Sequence, residues 1–260
     1  MTEETNASES EVQITPVEAS VLLSGAEWDP KLLATTLAQE WEITVPEKDL
    51  PADASESLVF EAEGAVIAVK LFEEPLPAEM ARMHAAMNPL WPQAGAMAQL
   101  HRAHLAVAAI PKTASLVEAA QVLVKVVSSL CNQPSALAID TGSTILGTDG
   151  YREGATVMKG GELPLFNLVT FAIAKADETN FVAFTMGMSF LGHNELEISP
   201  TAEKPEVIQE FLYTVASYTL KTGKGLRDGQ ILGLHPEKAQ AVRYAESSMI
   251  PSLKTMQITL

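Results

Sequence analysis

The hydrophobic pattern opens with a short apolar run, Ala19-Ser-Val-Leu-Leu23, which reads as a strand ended by Ser24-Gly25. Asp29-Pro30 supplies an N-cap and a proline suited to a first helical turn. Leu32, Leu33, Leu37 and Trp41 follow at helical spacing, so a helix is predicted over about 30–41. A polar, proline-bearing connection covers 46–57. Two β-rich runs, 58–62 and 65–72, then flank Glu63-Gly64 as a hairpin. An alanine- and methionine-rich helix over about 78–87 is broken by Asn88-Pro-Leu-Trp-Pro92, and a second helical piece covers about 93–102. His104-Leu-Ala-Val-Ala-Ala-Ile110 is nearly all apolar and reads as a strand buried on both faces. Strand, helix, two strands, helix, strand is the succession of a ferredoxin-like unit.

The pattern then begins again. Ser115 caps a predicted helix with Leu116, Val117, Ala120, Leu123, Val124, Val127 and Leu130 on its core face, ended by Pro134. Residues 136–140 and 144–146 flank Thr141-Gly-Ser143 as a second hairpin. A less regular segment covers 147–166, with turns at Asp149-Gly150 and Gly160-Gly161. Strands are predicted over 167–175 and from Phe181 onward. Val207, Ile208, Phe211, Leu212, Val215 and Ala216 form the stripe of a helix with acid at its start, lysines near its end and Gly223 as its stop. The run Thr255-Met-Gln-Ile-Thr-Leu260 alternates as a strand does. The fold class is therefore α+β: two related ferredoxin-like halves, with mainly antiparallel sheets packed against helices. The halves are placed at 17–112 and 113–260, behind an acidic tail, 1–16, with little to bury and expected to be disordered.

Charge narrows the partners. Among 260 residues there are 33 acidic and 17 basic side chains, a formal net charge of -16. Such a chain repels phosphate backbones and anionic lipid, which argues against nucleic acid and membrane surfaces, and it attracts a basic protein. No apolar run approaches the length of a membrane helix, and the polar N-terminus does not read as a signal peptide. The single cysteine, Cys131, lies on a helical apolar face and reads as a small buried hydrophobe in a reducing, cytoplasmic setting.

Candidate chemistry gathers where apolar strands give way to polar residues. Between Gly187 and Leu196 the chain presents His193, Asn194 and Glu195. In extended backbone His193 and Glu195 share one side, the arrangement of an acid–base pair, while the same residues serve equally to bind a ligand or to satisfy a turn. Trp91 and His104 are further binding candidates, one as a platform in a helix break, the other at the start of a buried strand. His101 and His104 are three apart, but a helix yields to a strand between them and no local acid completes a metal site. Gly223-Lys-Gly-Leu-Arg-Asp-Gly229 follows a helix and lacks the Gly-Lys-Ser/Thr ending of a phosphate loop. Thr141-Gly-Ser-Thr144 lacks a hydrolase elbow. No metal and no cofactor are expected.

Three stretches resemble a bacterial domain of unknown function (DUF4261): His101-Arg-Ala-His-Leu-Ala-Val107, Gly187-Met-Ser-Phe-Leu-Gly-His-Asn-Glu-Leu-Glu-Ile198, and the helix ending in Thr222-Gly-Lys-Gly-Leu-Arg-Asp-Gly229. The likeness is best over about 181–260. It implies no reaction, but it puts Glu195, Gly187 and His104 at recurring positions of the family. The expectation is a soluble, non-enzymatic protein-binding module with an acidic surface, of immunity or adaptor type, acting on a basic partner. The alternatives are a small-molecule site or enzyme using His193 and Glu195, and self-association into a homo-oligomer.

Overall fold

The computed structural model describes residues 15–235, 238–250 and 252–260, so most of the acidic tail read over 1–16 lies outside the described residues. The short apolar runs of the first half assemble into one sheet. It contains β1 (Val17–Leu23), β2 (Leu58–Ala62), β3 (Ala65–Phe72), β4 (Ala103–Pro111), β5 (Ala136–Asp140) and β6 (Ile145–Gly147). Their order is β2-β3-β4-β1-β5-β6, antiparallel at every pairing. The β2–β3 hairpin turns where expected, with Glu63 and Gly64 at φ 45° and 80°. The second sheet contains β7 (Thr170–Lys175), β8 (Phe181–Met186), β9 (Leu196–Thr201), β10 (Ile231–His235), β11 (Lys238–Glu246) and β12 (Lys254–Ile258). Its order is β10-β11-β12-β9-β8-β7, antiparallel except for the parallel pair β9–β12.

The fold is thus α+β, in two halves, with mainly antiparallel sheets packed against helices. The arrangement departs from the ferredoxin-like one in two respects: β1 runs antiparallel to β2, and β4 lies between β1 and β3. The helix break at Asn88–Pro92 accounts for the place of β4. A single helix reverses the chain once and returns it parallel to the strand it left. Two successive helices, α2 (Ala78–Ala86) and α3 (Ala94–Leu100), reverse it twice, so β4 comes back antiparallel, directly beside β3. Strands β5 and β6, placed in the second half by the sequence, complete the first sheet. The halves remain alike in one way. In each, a strand leading into a helix lies beside the last strand of a three-stranded meander: β1 beside β4, and β9 beside β12.

Helices cover both faces of the first sheet. α1 (Pro30–Trp41) starts on the Asp29 cap, and α4 (Leu116–Leu130) starts on a complete Ser115/Glu118 capping box. Both pack on one face, in a core that also holds Leu105 and Val107 of β4, Ile198 of β9 and Leu212 of α7 (Pro205–Thr222). One core therefore serves both sheets. The other face carries α2 and α3 over a smaller cluster, where Ala81, Ala85, Ala94 and Ala98 meet Leu22, Ala138 and Ile145. Helix α5 (Thr148–Ala155) and strand β11 are among the elements that escaped the sequence pattern. α5 contains Gly150, which read as a turn residue, and Gly154. At Gly154 a Cβ would fall 2.5 Å from Oδ1 of Asn167, so a larger residue there displaces the Asn167 amide.

Candidate functional site

Glu195 is buried, and its carboxylate organises the backbone in front of it. It accepts hydrogen bonds from Thr185 Oγ1 (2.8 Å), the Gly187 amide (3.0 Å), the Met188 amide (3.3 Å), and the Ser189 amide (2.9 Å) and Oγ (2.8 Å). Thr185 Oγ1 in turn accepts the Leu196 amide. Gly187 stands at φ 119°, with a hypothetical Cβ 2.4 Å from the Leu168 carbonyl oxygen. The chain can turn this closely only at a glycine, and the turn delivers three amides to one carboxylate. Two residues on, Glu197 does the same for the end of β11. It accepts from Ser247 Oγ, from the Ser248 amide and Oγ, and from Thr255 Oγ1. Burial raises the Glu197 pKa, but those hydrogen bonds outweigh it and hold the carboxyl below its ordinary value.

The acid–base pair expected from His193 and Glu195 is therefore not assembled. Glu195 turns inward to five donors. His193 lines a depression of about 490 Å³ together with Asn194, Ser189 and Thr219. Burial alone holds its imidazole below the ordinary histidine pKa. Among the described residues, no group of three His, Cys, Asp or Glu side chains is placed to hold a metal ion.

His101 and His104 also diverge. His104 is stacked on Phe72, its cross-strand neighbour, with ring centroids 4.9 Å apart, and Nδ1 donates to the Glu74 carbonyl at 2.9 Å. His101, at the end of α3, has Nδ1 2.6 Å from the Ala98 carbonyl, and its Nε2 accepts the Leu76 amide at 2.9 Å. A carbonyl only accepts and an amide only donates, so the geometry fixes the neutral tautomer with the proton on Nδ1. Burial, the largest influence, pushes the His101 pKa down. A depressed pKa stabilises the fold above the unfolded value of 6.5 and loses that contribution as pH falls through the folded value. We expect the urea midpoint to fall between pH 7 and pH 5, and to fall less in a His101→Gln variant. Equal slopes in the two proteins would remove His101 as a source.

Trp91 lies elsewhere, in a groove of about 510 Å³ on the seam between the sheets. The seam is where the edge strands β6 and β7 approach, linked by Ser143 Oγ and Thr170 Oγ1 at 3.0 Å. Asn88 Nδ2 donates to the Ile145 carbonyl and pins the α2–α3 break onto β6. The indole of Trp91 lies against Gly147, where a Cβ would be 3.2 Å from the ring. Leu90 on one lip is 89% exposed, and Phe166 on the other is 55% exposed. Thr144 and Asn167 also line the groove, and each carries a buried oxygen without a hydrogen-bond partner. Phe166 continues into an aromatic cluster with Phe171 (5.7 Å) and Tyr213 (5.3 Å). Neither Phe166 nor Tyr213 stands out in the sequence. The usable signal was that Tyr213 lies off the apolar stripe of α7, and that Phe166 falls in a stretch with no periodicity.

Trp91, His104 and His193 thus occupy three separate places. The arrangement defines an α+β protein of two six-stranded sheets on one core, with a carboxylate-tied loop before β9 and an apolar groove on the seam. Residues 184–259, from β8 to β12, match the family model for a domain of unknown function (DUF4261). Gly187, Glu195 and Glu197 fall inside the matched residues; Trp91 and the 101–107 segment precede them. No curated protein and no solved structure matches the chain.

Proposed function

We propose that this protein is a non-enzymatic protein-binding module and that its partner docks in the groove between β6 and β7. The observation that carries the reading is the pair of exposed apolar lips, Leu90 and Phe166, on a cavity of about 510 Å³. Large apolar side chains held in water around a concavity are costly unless something covers them. Two sheet edges meet at the same place, where a partner's backbone finds hydrogen-bonding groups. The inward turn of Glu195 supports binding over catalysis. The net charge of -16 supports a basic partner, and the single cysteine supports a cytoplasmic setting. No helix among the described residues is long and apolar enough to cross a membrane.

The test is site-specific photocrosslinking in the native cell. A photoreactive side chain at position 90 or 166 should capture the same protein. One at the exposed Ser57, beside the far edge strand β2, should not. Identical products from all three positions would remove the groove as the docking site.

A further inference from the structure

Resting on that docking reading, we infer that the groove takes a basic segment of the partner: an apolar residue beside Trp91, and a lysine or arginine laid on the Phe166–Tyr213 pair between Glu206 and Glu210. The larger cavity does not end at Phe166. A second depression, of about 350 Å³, shares Phe166 and Gln209 with it and adds Tyr213, Glu206 and Glu210. One continuous surface therefore offers an apolar hollow at one end and aromatic faces flanked by carboxylates at the other.

Each part selects for the same class of side chain. Phe166 and Tyr213, 5.3 Å between centroids and tilted 35°, line this depression, and an aromatic ring attracts a cation laid on its face. Glu206 and Glu210 are one helical turn apart on α7 and both exposed, so their charges project from one face. Among the described residues neither takes part in an ion pair within the chain. Asp149, on the rim of the larger cavity, is likewise exposed and outside those pairs. An ammonium or guanidinium group meets both fields at once, and its aliphatic stem covers the exposed ring of Phe166. A carboxylate-bearing segment is repelled at the same point. A second copy of this chain, with its net charge of -16, is a poor occupant for the same reason.

The test uses the full chain and arrayed eight-residue peptides in a glycine-serine background. Each peptide carries one leucine or phenylalanine anchor flanked by lysine or arginine, by serine, or by glutamate. Binding is read by fluorescence anisotropy at low and moderate salt. Peptides with a basic flank should bind most tightly, and their advantage should shrink as salt rises. In a Glu206→Gln/Glu210→Gln variant, whose fold is checked by circular dichroism, that advantage should fall on the order of tenfold while the serine-flanked peptides are unaffected. Binding that follows the anchor and ignores the flank would overturn this inference and leave the groove reading intact. Binding of none of the peptides would also overturn it, and the crosslinks at positions 90 and 166 would then decide separately whether the groove docks a protein at all.

Discussion

Replacing Gly187 by alanine is expected to cost about 3 kcal/mol or more of folding stability, one of the two largest single-residue effects in the molecule. Two penalties coincide. A φ of 119° lies where side-chain-bearing residues are strained, and the new Cβ would stand 2.4 Å from the Leu168 carbonyl oxygen and 3.3 Å from Cα of Val169. Those neighbours are backbone atoms at the entrance to β7, so a side-chain rotation cannot relieve the clash. Urea unfolding with an unchanged slope should show the loss as a lowered midpoint. A variant within about 0.5 kcal/mol of the parent would show that the Leu168 backbone yields and that the turn is not fixed by this contact.

The second large effect is expected from Glu195→Ala. The substitution strands two hydroxyls and three amides that now share one carboxylate, and those of Thr185, Gly187 and Met188 are buried. Unsatisfied buried donors to a charged group put the loss at about 3 kcal/mol, again read by urea unfolding. Glu195→Gln should retain part of that stability, because one oxygen still accepts while its amide group faces N–H donors. The two sites also act on the same turn. The double variant Gly187→Ala/Glu195→Ala should therefore lose less than the sum of the singles, since a displaced turn has already broken the bonds the second change removes. Strict additivity would mean that the glycine and the carboxylate hold separate features. A Glu195→Ala protein as stable as the parent would contradict the inward-facing role altogether.

Sequence and structure agree where a physical rule acts locally. The Asp29-Pro30 and Ser115/Glu118 helix starts, the Glu63-Gly64 hairpin and the stripe of α7 depend on a few neighbouring residues, and each appeared where the pattern placed it. Strand order was not local. It turned on whether the break at Asn88–Pro92 reverses the chain once or twice, and β5 and β6 joined the first sheet through contacts with β1 far away in sequence. The site was legible only in part. Gly187, Glu195 and the residues around them did mark a point of unusual construction, but alternation suggested that His193 and Glu195 share a face. The tight turn instead sends the carboxylate inward. Glu197, a neighbour in the same run, carries an equally dense set of bonds, and nothing in its spacing set it apart from a surface acid. The groove was invisible for a different reason. It is made by the edges of two sheets, and only Trp91 among its principal residues stood out before those edges were brought together.

The placement of β12 has a consequence for synthesis. This strand lies between β9 and β11, yet it is assembled from residues 254–258. Every strand of the first sheet has been made once the ribosome has passed residue 147, so that half can close early. The second cannot, because β9 and β11 wait with bare edges until the strand that joins them emerges. A chain stalled or clipped before residue 254 therefore keeps unpaired backbone on β9 and β11, open to pairing with another chain.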